Sequence, residues 1–229
     1  GSTMKTKLIS YTQARPGPTD FQVGSKPGEI SMLDLVAYCA RVSNPDNQNN
    51  SATNEKLVKY LIKHKHWSPL EMVSVCMEVE TTRDIGRQLL RHRSFSFQEF
   101  SQRYADPTKD LEFEIREPRL QDPKNRQNSI VCDDGALYDE WANKQSAVIE
   151  TAKMAYDWAI ENGIAKEQAR AVLPEGNTMS RLYVNGTLRS WVHYIELRRA
   201  NGTQLEHIQL AESIAEAIVK IFPVDLATE

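Results

Sequence analysis

The sequence predicts an α+β fold: a small, largely antiparallel sheet flanked by helices, in a single domain. Three observations carry this. Met72–Glu80 alternates, with Val73, Val75, Met77 and Val79 on one face and Ser74, Cys76, Glu78 and Glu80 on the other. That is the period of a strand with one apolar side. Ala136–Asn162 and two segments near the C-terminus read instead as helices. Finally, strands and helices mingle without a regular βα rhythm, which argues against a parallel, doubly wound sheet. No linker divides the chain, so residues 4–229 are expected to form the domain, and Gly1-Ser2-Thr3 before Met4 reads as a cloning remnant.

From the N-terminus, Leu8–Tyr11 reads as a short strand and Arg15–Pro27, rich in Pro and Gly, as a loop. Ser31-x-x-Asp34 has the form of a capping box, and Leu33, Val36, Ala37 and Ala40 share one helical face. After the polar break Asn44–Asn50, Thr53–Lys65 reads as a helix with Leu57, Leu61 and His64 on one side. Following the Met72–Glu80 strand, Thr81-x-x-Asp84 opens a helix that Ile85, Leu89 and His92 carry to about Arg91. Leu111–Arg116 alternates and reads as another strand, and Pro118–Gly135 as a long polar loop. Gly163 stops the long helix Ala136–Asn162, and Pro174 stops a short one at Lys166–Leu173. Thr178–Val184 reads as a strand. Helices Thr187–Arg199 and Thr203–Ile221, joined at Asn201-Gly202, complete the chain, with Thr203-x-x-Glu206 as a capping box.

Composition excludes several classes. At 229 residues with 40% apolar and 26% charged side chains, the chain has the balance of a globular protein. No apolar run nears the ~20 residues of a membrane-spanning helix, and the N-terminus has no signal-peptide hydrophobic region. Cys39, Cys76 and Cys132 form no CxxC pair, against a disulfide framework or zinc site, so a reducing cytoplasm is expected. A net charge of −3 supplies no global basic field for nucleic acid. Any anion must be held by a local cluster.

One segment has such a cluster: RHRSFSFQEFSQRY, Arg91–Tyr104. Gln88 and Arg91 lie i, i+3 on one helix face. If the chain is extended beyond, Glu99, Ser101 and Arg103 share a face, with Phe100, Gln102 and Tyr104 opposite. A guanidinium fork matches phosphate or carboxylate, whereas Glu99 suits a hydroxyl or amide donor. Together they suggest a nucleotide rather than a bare phosphate. Other uses of these residues stay open: surface ion pairs for the arginines, core packing for Phe95, Phe97 and Phe100, or a platform for single-stranded bases. Ser101 has neither a nucleophile-elbow glycine nor a visible base. His64 and His66 make only a weak metal signal. Neither GxGxxG nor a Walker A loop occurs.

Arg91-His92-Arg93 followed after seven residues by Ser101 resembles the RHR-x7-S signature of flavin-dependent thymidylate synthases, the ThyX family. Glu99-x-Ser101-x-Arg103-Tyr104 extends the match. So do His66-Trp67-Ser68-Pro69-Leu70-Glu71 upstream and Gln168-Ala169-Arg170 with Leu173-Pro174 downstream. Leu188-Arg189-Ser190-Trp191, His193, Leu197-Arg198 and Gln204-x-Glu206 resemble the family's C-terminal helices. The likeness runs from about Ser31 to Pro223. Met72, Gln98 and His193 depart from it, standing where many members have histidine, asparagine and asparagine.

The resemblance implies a homotetramer with active sites at subunit interfaces that methylates dUMP to dTMP. Methylenetetrahydrofolate would supply the carbon, NADPH the electrons, and tightly bound FAD would carry the hydride. The dUMP site would take Gln88, Arg91, Glu99, Ser101, Gln102, Arg103, Arg170 and Arg198. Arg103 and Arg170 suit the phosphate, Glu99 the sugar hydroxyl, and Arg198 the uracil edge. Arg198, the expected catalytic residue, would stabilise negative charge on the activated pyrimidine, since an arginine is too weak an acid to shuttle protons readily. The FAD site would take Ser74, Arg91, His92, Arg93, Glu99, Thr187, Leu188, Arg189 and His193. No metal, nucleic acid or membrane is implied.

Overall fold

The computed structural model describes residues 4–15, 30–224 and 226. The chain runs β1 (Lys5–Tyr11), α1 (Met32–Ala40), α2 (Asn54–Lys63), β2 (Ser74–Thr82), α3 (Arg83–Leu90) and β3 (Ser96–Glu99). Then come α4 (Pro107–Asp110), β4 (Arg119–Gln121), β5 (Ser129–Val131), α5 (Gly135–Glu161) and α6 (Lys166–Ala169). It closes with β6 (Met179–Thr187), α7 (Leu188–Arg199) and α8 (Leu205–Val219). The expected cloning remnant, and the Pro/Gly-rich loop from residue 16 onward, lie outside the described residues.

Four strands form one sheet in the order β1-β2-β6-β3, antiparallel at each junction. The α+β expectation is borne out. The alternation of β2 puts Val75, Met77 and Val79 wholly inside, and Leu182 and Val184 of β6 join them. Against these pack Trp191 and Ile195 of α7 and Leu210 and Ile214 of α8, in one continuous core. Each such side chain stabilises the fold by roughly 1.5–3 kcal/mol. Helix α5 stands apart, held through a smaller cluster of Tyr156, Ala159 and Ala169. Among the described residues no helix is long and apolar enough to cross a membrane.

Local chemistry fixes the edges. Ser31 Oγ accepts from the Asp34 amide at 3.2 Å and Asp34 Oδ2 accepts from the Ser31 amide at 3.1 Å, so the expected capping box forms. Asp34 also accepts from Asn54 at 2.7 Å, and Arg41 donates to Asn54 and Thr53, which ties α1 to α2. A Cβ on Gly186 would sit 2.7 Å from Phe95 Cε1, so glycine lets the Phe95 ring lie against β6. That ring, 4.4 Å from Trp191, anchors the turn that follows α3.

Four expectations fail for stated reasons. Leu111–Arg116 is no strand; only Phe113 bridges to Thr178. Polar side chains satisfy its backbone instead: Asn177 donates to Glu114 O at 2.9 Å, and Gln145 bonds both the amide and the carbonyl of Arg116. The extended run ends at Phe100, after which Tyr104 and Ala105 both donate to Ser101 O. Glu99, Ser101 and Arg103 therefore do not share a strand face, and Gln102 is buried in the turn. The polar loop from Pro118 contains the β4–β5 hairpin. Finally, Thr203 does not cap α8: its hydroxyl bonds Leu197 O at 3.4 Å, Gln204 is the N-cap, and Glu206 turns to Arg116.

Candidate active site

The last turns of α3 and α7 meet at the wall of a cleft of about 1370 Å³, where Gln88, Arg91 and Arg198 all line the surface. Arg198 is oriented from behind. Its Nε donates to His92 Nε2 at 3.0 Å and its Nη2 to the Gln88 carbonyl at 3.2 Å, near the C-terminus of α3. Burial lowers the Arg198 pKa, and the nearby Arg91 charge adds to this. A bound anion would offset both by favouring the charged guanidinium. Burial, then the charge of Arg198, hold His92 near a pKa of about 4, so it is neutral and accepts at Nε2.

Gln88 belongs to a longer chain of bonds. Its Oε1 lies 2.9 Å from His207 Nδ1, and His207 Nε2 lies 2.9 Å from the Tyr194 hydroxyl. Its Nε2 donates to Gln204 Oε1 at 3.0 Å, and Gln204 donates to Glu206 at 3.2 Å. Arg116 closes the line, 2.6 Å from Glu206 and 2.5 Å from Asp84. Sequence reasoning missed both His207 and Arg116. His207 follows Glu206 of the family-like Gln204-x-Glu206, and only the crossing of α8 against α3 brings it to Gln88.

Of the residues expected at the flavin, Ser74, Thr187, Leu188, Arg189 and His193 gather around the first turns of α7, whereas Arg91 and His92 stand near its last turn. Ser74 pairs with Thr187 across β2 and β6, and Thr187 caps α7 through the Ser190 amide at 3.3 Å. Arg189 Nε donates to His193 Nε2 at 3.4 Å, and its Nη1 lies 3.5 Å from Glu71. Trp67 meets the His193 ring edge-on at 4.6 Å. Burial, then the charge of Arg189, lower the His193 pKa. Leu188 is wholly buried and its amide bonds Val73 O, so it shapes the turn from inside. Arg91 and Arg93 are exposed, with no ion-pair partner among the described residues. Glu99 is exposed at the end of β3, next to the exposed Gln98; Met72 is 57% exposed at the end of the Ser68–Met72 turn.

The other residues expected at the nucleotide stand apart. Arg103 lies 3.7 Å from Glu167, and Arg170 donates to the carbonyl of the same Glu167 at 3.1 Å. Ser101 Oγ accepts from the Arg103 amide at 3.3 Å. None of Ser101, Arg103 and Arg170 lines the cleft of Gln88, Arg91 and Arg198. One chain thus presents the expected nucleotide residues as two separate groups. No cluster of three or more His, Cys, Asp or Glu able to hold a metal occurs among the described residues.

Fold and site together define an α+β protein with an arginine-lined cleft that has its charged side chains aimed from helix ends. Residues 31–224 match the family model described as thymidylate synthase complementing protein. A relative from Paramecium bursaria Chlorella virus 1 is 49% identical over 225 residues, 96% of each chain. The flavin-dependent thymidylate synthase of Synechocystis sp. is 48% identical over 221 residues, again 96% of each. The UMP/dUMP methylase PolB from Streptomyces cacaoi, solved with 5-Br dUMP, superimposes with a TM-score of 0.75 at 25% identity, covering 96% of this chain and 92% of that one. The chain belongs to the flavin-dependent thymidylate synthase family.

Proposed function

We propose that this enzyme converts dUMP to dTMP, with methylenetetrahydrofolate as carbon donor, NADPH as reductant and FAD as the bound hydride carrier. The observation that carries this is the convergence of Gln88, Arg91 and Arg198 on one cleft, in a chain of this family. The donor set around α7 fits a flavin dinucleotide. Arg91 and Arg93, without an ion-pair partner among the described residues, carry charge for a diphosphate, Arg189 is held only loosely, and Trp67 and His193 offer rings. Bound there, FAD would supply hydride transfer.

The chain's own residues do the rest. His92 and the Gln88 carbonyl hold the Arg198 guanidinium in one orientation, so it meets the pyrimidine without reorganising. It stabilises the negative charge that gathers on the ring as C5 attacks the methylene donor. Arg103 and Arg170 hold the phosphate, with the Ser101 hydroxyl beside them, Gln102 buried under that turn and Glu99 on the sugar. Because these residues and Gln88, Arg91 and Arg198 form separate groups in one chain, the complete site is built from two copies, in keeping with a homotetramer. Cytoplasmic dTMP synthesis is the expected setting.

The decisive measurement is the visible spectrum of protein incubated with FAD and freed of excess, with and without dUMP. A flavin spectrum that shifts on adding dUMP is expected; a colourless protein would overturn the assignment. Arg198→Ala should abolish nearly all dTMP formation while the assembly stays intact in size-exclusion chromatography. Near-normal turnover would remove Arg198 from its role.

A further inference from the structure

We propose that His207 sets the base specificity of the cleft by fixing which end of the Gln88 amide faces the ligand. This rests on the assignment of the cleft as a pyrimidine nucleotide site. His207 is wholly buried in the first turn of α8, and both its ring nitrogens are engaged. The direction of the bonds follows from the far end of the chain. Glu206, held by Arg116 at 2.6 Å, only accepts. Gln204 must therefore turn its Nε2 to Glu206 and its Oε1 to Gln88. Gln88 then turns its Nε2 to Gln204 and its Oε1 to His207. His207 donates from Nδ1, and its bare Nε2 accepts the Tyr194 hydroxyl proton. Burial keeps the ring neutral, with its pKa lowered to about 3, so this tautomer persists across the working range.

One N–H of Gln88 Nε2 is left over, on a side chain that lines the cleft beside Arg91 and Arg198. An amide fixed this way offers a donor. It matches the C4 carbonyl of uracil and opposes the C4 amino group of cytosine, where two donors would meet. Without His207, Gln88 Oε1 loses its buried donor, and only the solvent-exposed bond from Nε2 to Gln204 still resists rotation of the amide. The discrimination would go with that donor, although the pocket would keep its shape and charge.

The test compares dUMP and dCMP binding to the FAD-loaded protein, read from the flavin spectrum, together with kcat and KM for dUMP. His207→Leu should weaken dUMP binding about tenfold, the size of one lost hydrogen bond, and leave dCMP binding unchanged. The increase should appear in KM more than in kcat. His207→Asn, whose amide nitrogen falls at the place of Nδ1, should restore dUMP preference; His207→Gln, whose nitrogen falls at the place of Nε2, should not. In a Gln88→Ala background, His207→Leu should add nothing. Equal weakening for both nucleotides, or additive losses with Gln88→Ala, would overturn the proposal and leave His207 a packing residue. If the leucine variant does not fold, the contrast between asparagine and glutamine decides the same way. An unaltered FAD-loaded protein that binds neither nucleotide would instead overturn the assignment of the cleft, and the specificity role with it.

Discussion

Arg116 joins three elements that sequence order keeps far apart. Its side chain is 14% exposed and pairs with Asp84 of α3 at 2.5 Å and Glu206 of α8 at 2.6 Å; the two acids are 27% and 23% exposed. Its backbone is bonded to Gln145 of α5 on both sides. Arg116→Leu keeps the backbone bonds and much of the volume but leaves two carboxylates facing one another. They have little else to turn to, because Asp84 Oδ1 and Glu206 Oε2 are already buried without a partner. Breaking a buried pair from one side costs about 3–5 kcal/mol. Solvent reaches both acids here, so the expected loss is about 2–4 kcal/mol. Urea unfolding followed by tryptophan fluorescence would measure it, with a lower midpoint and an unchanged slope. Adding Asp84→Asn and Glu206→Gln should recover at least half, since the uncompensated charge goes. A loss under about 0.5 kcal/mol, the scale of an exposed surface pair, would refute the claim that Arg116 is a structural hub.

Three more outcomes follow from the packing and the titrating groups. Gly186→Ala drives a methyl group into the Phe95 ring and should cost about 1–3 kcal/mol; pairing it with Phe95→Leu should return part of this, and no change in Tm for the single variant would show that the ring yields freely. His207 has a folded pKa of about 3, below the usual 6.5, so the unfolded chain binds its proton more tightly. Its share of stability is complete above pH 6.5 and is lost as pH falls toward 3, with a slope near 1.4 kcal/mol per pH unit; His207→Leu should flatten the urea-unfolding profile across that window, and an unchanged profile would place the titration elsewhere. Saturating dUMP at about one hundred times Kd should raise the stability of the FAD-loaded protein by about 2.7 kcal/mol, visible in thermal melts and absent in Arg198→Ala if that arginine carries the ring contact.

What could be read from the sequence was whatever local periodicity and capping decide. The β2 alternation, the Ser31 capping box and the stop at Gly163 each depend on neighbours within a few residues, and each stands in the structure. Leu111–Arg116 carries the same alternation as β2. It fails as a strand because Asn177 and Gln145, distant in sequence, take its backbone bonds first. Thr203-x-x-Glu206 fails as a capping box because Arg116 offers Glu206 a full charge, against which a backbone amide competes poorly. In both cases a tertiary partner outbids the local one, and its identity is not encoded nearby. The candidate site divides the same way: its arginines were legible as a motif, but Arg198 is aimed by His92 and the Gln88 amide by His207, through contacts between helices that sequence order keeps apart.

The separation of the expected nucleotide residues into two groups is itself informative. If all of them served one ligand within one chain, folding would bring Arg103 and Arg170 to the cleft of Arg91 and Arg198. Instead they gather loosely around Glu167, while Arg91 and Arg93 carry charge that no acid among the described residues neutralises. Arg91 and Arg198, both on the cleft, repel one another and weaken the isolated chain. Anionic ligands and a second copy of the chain would remove that cost together, so occupancy and assembly should strengthen each other. A chain organised around a single self-contained pocket would show no such coupling, and its arginines would have found their counter-charges at home.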